Sequence, residues 1–360
     1  MRIYNFSSGP AMLPEPVLEK AREEMMSFGG IGMSVMEISH RSGEFEMILH
    51  SAERGIRDLL GIPSNYRVLF LQGGASTQFA MIPMTFLWQG NSADYVVAGY
   101  WGKKALAEAK LEGNARVIWD GEPTGFSQIP DPEDLSFDPE AAYVHYTSNE
   151  TIDGVEFKYD LDAGDIPVVC DACSNILSKP IDVEKYAMIY AGAQKNIGPS
   201  GVTVVIIRDD MLARIPSGLH PLFDYRTLAA NDSMVNTPNT WGIYLIGLVC
   251  EWLQQHGGLA EVQKKNEAKA KLLYDAIDSS DGFYRGRAER SARSTMNVTF
   301  NLPSAELELL FAEEAGKNGM NGLAGHRTSG GIRASIYNAF PVEGIHELTG
   351  FMSEFAAQNS

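Results

Sequence analysis

Ile166-Pro167-Val168-Val169-Cys170-Asp171 and Ala187-Met188-Ile189-Tyr190-Ala191-Gly192-Ala193-Gln194-Lys195 follow one another in mid-chain, and their shared form decides the fold. Each is a short apolar run that ends on a charged side chain. Runs this short and continuous read as strands buried on both faces, which need helices above and below them. Working outward, the same form recurs at 68–71, 95–98, 116–119, 142–146 and 202–207, with helical stretches expected at 17–28, 42–60, 77–87 and 103–111. The alternation predicts an α/β fold whose large domain has a mostly parallel, seven-stranded-type sheet covered by helices. Two long helical stretches follow at 241–255 and 259–277, broken at Gly257-Gly258. Strands at 296–300 and 331–335 and helices at 305–317 and 342–356 then mark a smaller C-terminal α/β domain. The domain change is placed at Gly257, giving a large domain over 16–256 and a small one over 257–360.

Ligands of an open parallel sheet bind beyond the carboxyl ends of its strands, so the polar residues that end the apolar runs are the candidates. Asp171 stands where a carboxylate can lie under a pyridinium nitrogen and keep it protonated, making the ring an electron sink. By itself it reads more readily as a strand-end cap. Lys195 sits at the rim of the next strand, ahead of Asn196-Ile197-Gly198-Pro199, where an amine can form an imine with an aldehyde. A lone strand-end lysine is usually a solvated end; the pair is the unusual feature. Gln72-Gly73-Gly74-Ala75-Ser76-Thr77-Gln78 joins a strand to a helix, and its small residues suit a phosphate at a helix N-terminus. It has no Walker lysine, which excludes that mode of nucleoside triphosphate binding. Trp101 follows another strand and can stack on a planar ring. Thr151 lies in the polar loop 149–154, within reach of a ring oxygen or phosphate. Together these point to pyridoxal 5′-phosphate.

The chain carries 360 residues, 44% of them hydrophobic, and a formal net charge of −17. Such a charge argues against nucleic acid and anionic membrane as partners, and an anionic substrate needs local basic clusters. His40-Arg41, His326-Arg327 and Arg333 are short clusters of that kind. No apolar run approaches the ~18 residues that suggest a membrane span. The cysteines, Cys170, Cys173 and Cys250, suggest no disulfide framework, and a cytoplasmic location is expected. Cys170-Asp171-Ala172-Cys173 spells CxxC, but a zinc site needs about four ligands, so packing is expected and no metal. Arg285, Arg287, Arg290 and Arg293 read as a solvated loop.

Gly192-Ala193-Gln194-Lys195-Asn196-Ile197-Gly198-Pro199 resembles the lysine motif of the phosphoserine aminotransferases, within the class V, fold-type I pyridoxal-phosphate enzymes. Phe6-Ser7-Ser8-Gly9-Pro10-Ala11, Ser39-His40-Arg41-Ser42, Asn149-Glu150-Thr151-Ile152-Asp153-Gly154, Asn236-Thr237-Pro238 and Gly330-Gly331-Ile332-Arg333-Ala334-Ser335 fit the same family in order. The resemblance spans essentially the whole chain. It implies that Lys195 carries the cofactor and moves the proton, that Asp171 pairs with the ring nitrogen, and that Trp101 stacks on the ring. Thr151 would bond the phenolic oxygen side, and Ala75, Ser76 and Gln194 would line the phosphate cup. Asn236 and Thr237 would reach the partner's phosphate in a homodimer with shared active sites. Arg333 would hold the α-carboxylate. His40, Arg41, His326 and Arg327 would bind the phosphate or the glutamate side chain. Residues 1–15 would pack with the small domain. The implied reaction is reversible transamination of 3-phosphohydroxypyruvate with L-glutamate to O-phospho-L-serine and 2-oxoglutarate, in serine biosynthesis. A four-carbon phosphorylated oxo acid of vitamin B6 synthesis, 3-hydroxy-2-oxo-4-phosphooxybutanoate, fits the same charges and would give 4-phosphohydroxythreonine. One departure stands out: some members carry arginine where this chain has Ser76. Two rivals are a cysteine desulfurase, which is expected to have His before the lysine and a reactive Cys in a late loop, and a non-catalytic scaffold.

Overall fold

The computed structural model describes residues 2–359. Seven strands form the large sheet: β1 (Tyr66–Leu71), β2 (Ser92–Val97), β3 (Asn114–Asp120), β4 (Val144–Thr147), β5 (Val168–Asp171), β6 (Met188–Gly192) and β7 (Thr203–Arg208). Their order across the sheet is β1-β7-β6-β5-β4-β2-β3. Only β7 breaks the parallel run, pairing antiparallel with both β1 and β6. Alternate residues of one strand enter different cores, as a pleat requires. Val68 and Phe70 join one apolar cluster and Leu69 and Leu71 the other. Both faces are thus covered, which is why these runs read as continuously apolar.

A second sheet comprises β8 (Arg285–Gly286), β9 (Asn297–Asn301), β10 (Ala324–His326) and β11 (Gly330–Ser335), antiparallel in the order β8-β9-β11-β10. It has its own core, built around Phe300, Phe311, Ile332 and Phe355. The amino terminus belongs to this part: Tyr4–Asn5 pairs in parallel with Met320–Asn321, and Phe6 lies in the same core. The helix Gly258–Asp278 serves both parts. Leu259 and Val262 pack with the first core, while Ala270, Leu273 and Ile277 pack with the third.

Several elements differ from the sequence reading. The first helix, Glu15–Glu23, ends before Phe28. The helices expected from 77 and 103 begin at Gly74 and Tyr100, so Ala75, Ser76 and Trp101 sit in first turns rather than in loops. Residues 149–156 are buried throughout, with Asn149–Glu150 paired to Val155–Glu156, so the expected polar loop is a buried two-stranded turn. The arginine run is also partly folded. Arg293 binds both oxygens of Asp278, at 2.6 and 2.8 Å, and covers the Tyr274 ring at 4.5 Å. Its charge is balanced where it lies, so no basic patch forms around it. Among the described residues no helix is long and apolar enough to cross a membrane.

Candidate active site

The turn after β6 carries Lys195, whose Nζ donates to Thr151 Oγ1 at 2.6 Å. Two things hold this turn. Asn196 accepts from the Asn338 N–H at 3.0 Å and donates to the Ser174 carbonyl, tying the turn to the segment after β11. The amino-terminal segment covers its other side, with the Ala11 N–H on the Gln194 carbonyl. Gly9 lies against the lysine stem: a Cβ there would stand 3.4 Å from Lys195 Cγ, and its φ of +144° favours glycine.

Asp171 ends β5, beside Tyr190 of β6. It is buried, and its Oδ1 accepts from the Cys173 N–H at 2.9 Å. Burial pushes its carboxyl above the ordinary range, against the hydrogen bonds from Cys173 and the nearby Lys195. It makes no ion pair among the described residues. A buried carboxylate without a cation is costly, so this position favours a ligand that brings a positive charge. Trp101 supplies a wall, with Lys195 Nζ 5.9 Å from its ring centroid, and its buried Nε1 has no partner. Gly74, Ala75, Ser76, Thr147, Asn149, Ser174 and Gln194 complete a pocket of ≈ 160 Å³ around Asp171, Thr151, Trp101 and Lys195. The helix starting at Gly74 has no side-chain cap, and its first N–H groups have no intrahelical partner.

Arg333 projects from β11, is 8% exposed, and leaves a buried Nε without a partner and no ion pair among the described residues. Burial pulls its pKa below the ordinary guanidinium value, while Tyr337 and Asp153 oppose that shift. His326 in β10 lies 5.3 Å, ring to ring, from Tyr100. Burial first, then Arg333 and Arg327, hold its pKa below the usual imidazole value. Arg327 is exposed beside it.

Arg333, His326 and Arg327 do not line that pocket, and the remaining expected residues do not reach it within one chain either. His40 and Arg41 sit ahead of the helix Gly43–Leu60, with Arg41 exposed. Asn236 and Thr237 are exposed, and Asn236 lines a separate cavity of ≈ 350 Å³ with Gly73 and Thr77. The three cysteines are buried, Cys170 and Cys173 in different cores, and burial pushes all three thiols upward. None is available as a nucleophile at neutral pH, which removes the reactive cysteine a desulfurase needs.

Two residues escaped the sequence reading. Glu150 and Asp153 flank Thr151 and are 0% and 5% exposed. Glu150 accepts from the N–H groups of Trp101 at 2.9 Å and Gly102 at 2.8 Å, and Asp153 from that of Tyr100 at 2.9 Å. Burial and the Asp153 charge push Glu150 up, to about 8, against those two N–H groups. Burying an ionised carboxylate costs several kcal/mol; charge-assisted hydrogen bonds of about 1.5–3 kcal/mol each offset that in part. Their motif was visible, but nothing in it says that these carboxylates cap a helix some fifty positions earlier.

A reactive amine, a buried carboxylate without a cation, an aromatic wall and an uncapped helix start fit one planar, phosphorylated aldehyde with a basic ring nitrogen. They define a pyridoxal-phosphate enzyme of the α/β class, and the cofactor is pyridoxal 5′-phosphate. The comparisons narrow the class. The chain is 52% identical over 359 residues to a phosphoserine aminotransferase of Laribacter hongkongensis, covering 100% of both chains. It resembles the structure of phosphoserine aminotransferase from Bacillus circulans subsp. alkalophilus, with 48% identity, a TM-score of 0.98, and coverage of 100% of this chain and 99% of that one. It also resembles PLP-bound phosphoserine aminotransferase from Trichomonas vaginalis, with 37% identity, a TM-score of 0.92, and coverage of 98% and 100%. With residues 3–348 matching its pattern, the chain belongs to the aminotransferase class-V family.

Proposed function

We propose that this chain transfers an amino group between L-glutamate and 3-phosphohydroxypyruvate, giving 2-oxoglutarate and O-phospho-L-serine reversibly, in serine biosynthesis in the cytoplasm. Full-length identity near one half to proteins named for this activity supports the reading. The observation that carries it is Arg333, a buried guanidinium on β11 with an unsatisfied Nε and no ion pair among the described residues. Such a group favours a carboxylate, which a planar fork binds bidentately.

Bound pyridoxal phosphate supplies a sink for the electron pair left when the substrate Cα loses its proton. The chain does the rest. Lys195 holds the cofactor through Nζ and carries the proton at Cα. Thr151, 2.6 Å from that Nζ, orients it. Asp171 would pair with the ring nitrogen of the cofactor, and Trp101 would shield its ring from water. The first-turn N–H groups of Gly74, Ala75 and Ser76, with Gln194, bind the phosphate. Arg333 fixes the α-carboxylate. His326, Arg327, His40 and Arg41 receive the second anionic group, the last two completing the site in a homodimer. Asn236 and Thr237 serve the partner's phosphate in the same assembly. We place the domain change at Gly257, with residues 16–256 forming the large domain, 257–360 the small one, and 1–15 packing with the smaller part.

The test is the second half-reaction. The aminated enzyme, prepared with glutamate, is mixed with 3-phosphohydroxypyruvate, its four-carbon analogue 3-hydroxy-2-oxo-4-phosphooxybutanoate, and pyruvate. A site with cationic groups left unpaired discriminates by about 10²-fold or more in kcat/KM against the substrate lacking phosphate. Both phosphorylated acids should react and pyruvate should lag by that factor. Equal rates for all three overturn phosphate recognition.

A further inference from the structure

Glu150 is a carboxylate buried inside the protein with no ion pair among the described residues, and the proposed chemistry does not use it. Its surroundings explain its presence. Both oxygens are occupied by successive N–H groups, Trp101 on Oε2 and Gly102 on Oε1, and Asp153 takes the N–H of Tyr100. Two carboxylates therefore close the first turn of the helix Tyr100–Glu112 from a distant part of the chain. The approach needs space at the N-cap. Gly99 has φ −177°, an extended conformation open to any residue, so its backbone does not demand glycine. Space does: a Cβ would lie 2.5 Å from Asp153 Oδ2 and 2.6 Å from Glu150 Cδ.

The clamp meets the reacting centre at two points. Thr151, between the two carboxylates, contacts Lys195 Nζ through its hydroxyl. Trp101, the residue whose N–H Glu150 holds, presents its ring to the same Nζ. The turn is in turn bolted to the second sheet. Asn149 donates to Asn297 Oδ1 and accepts from Ser294 Oγ, and Thr299 donates to the Asp153 carbonyl. One short buried segment therefore sets the hydroxyl, the aromatic wall and the sheet that carries Arg333 relative to one lysine.

We propose that Glu150, completed by Asp153, is a positioning residue for the transamination: it holds the Trp101 wall in register with Lys195 by closing the first turn of the helix Tyr100–Glu112. The proposal rests on the functional reading above and deepens it. An apolar or amide side chain would fill the same space without the cost of a buried charge, but cannot accept from two adjacent N–H groups with two oxygens.

The decisive variant is Glu150→Gln, which keeps the shape and replaces one acceptor by a donor. In the apo chain, hydrogen exchange at the Trp101 and Gly102 amides should speed by about tenfold, the loss expected for one helix cap. In titrations of the apo chain with pyridoxal phosphate, the dissociation constant should rise by about the same factor and the induced circular dichroism of the bound cofactor should weaken. The effect should be less than additive with Trp101→Phe, because both changes act on one wall. Unchanged exchange, or unchanged affinity and dichroism, overturns the proposal, as does full additivity. Should Glu150→Gln impair folding, Gly99→Ala wedges the same clamp from the helix side and must reproduce the pattern. Failure of the native chain to bind pyridoxal phosphate would instead overturn the functional reading, and the exchange result would still decide whether the clamp exists.

Discussion

The helices Gly74–Phe86 and Tyr100–Glu112 pack side by side and begin at the same edge of the large sheet, yet their first turns are completed in opposite ways. Each presents unpaired N–H groups and the positive end of a dipole. At Tyr100 the protein fills that end with its own Glu150 and Asp153. At Gly74 it offers only Gly73, Ala75 and Ser76, with no capping side chain, and the pocket opens there. The same electrostatics does two jobs. Closed by the protein's own carboxyl groups, a helix start becomes a mount for Trp101; left open, it suits the phosphate that the proposed function places there. The lesson is that an anion site is made as much by withholding carboxylates as by supplying donors.

The largest effect should come from making the open end resemble the closed one. Ser76→Asp places a carboxylate in an exposed first-turn position, where it suits the helix and should leave folding intact. Affinity of the apo chain for pyridoxal phosphate should fall by roughly 10²-fold through like-charge repulsion, whereas pyridoxal, lacking the phosphate, should bind nearly as before. Equal losses for both would break the comparison. A smaller change of opposite sign is expected from Ser76→Arg, which adds a charge-assisted donor. Titration should give about fivefold tighter binding, and weaker binding would mean that the open turn faces away from the phosphate.

The smallest effect probes the closed end through pH. Glu150 is held above the ordinary carboxylate pKa, to about 8. The folded chain thus binds this proton more tightly than the unfolded chain. Its stabilising contribution is complete below the ordinary carboxylate range and is lost as pH rises through the raised value. Glu150→Gln has no such proton. The melting temperature of the native chain should therefore drop relative to that variant by about 5 °C between pH 5 and 8.5. A relative rise would mean that the helix N–H groups outweigh burial.

Asp171 and Lys195 were legible because each ends an apolar run, and a parallel sheet delivers strand ends to one edge. The helix starts were misplaced by three residues because neither has a serine, threonine, asparagine or aspartate cap of its own. One is left uncapped and the other is capped from residues 150 and 153. By contrast, the helix Gly43–Leu60 carries its own cap at Ser42 and was read correctly from that residue. His326 was read as a cation from its neighbours in sequence, but burial beside Arg333 lowers its pKa. Arg293 was read as solvated, but its partner Asp278 ends a helix read without it.

By itself the sequence determined the alternating strands and helices, the strand-end places of Asp171 and Lys195, and the family. These depend on local periodicity and on which residue ends a run. Only the tertiary structure decided which carboxylates face the cofactor pocket and which close a helix, which buried arginine stays unpaired, and that burial lowers the His326 pKa. Those properties depend on burial and on partners far away in the chain, and a charge's role follows from what lies within a few ångströms of it.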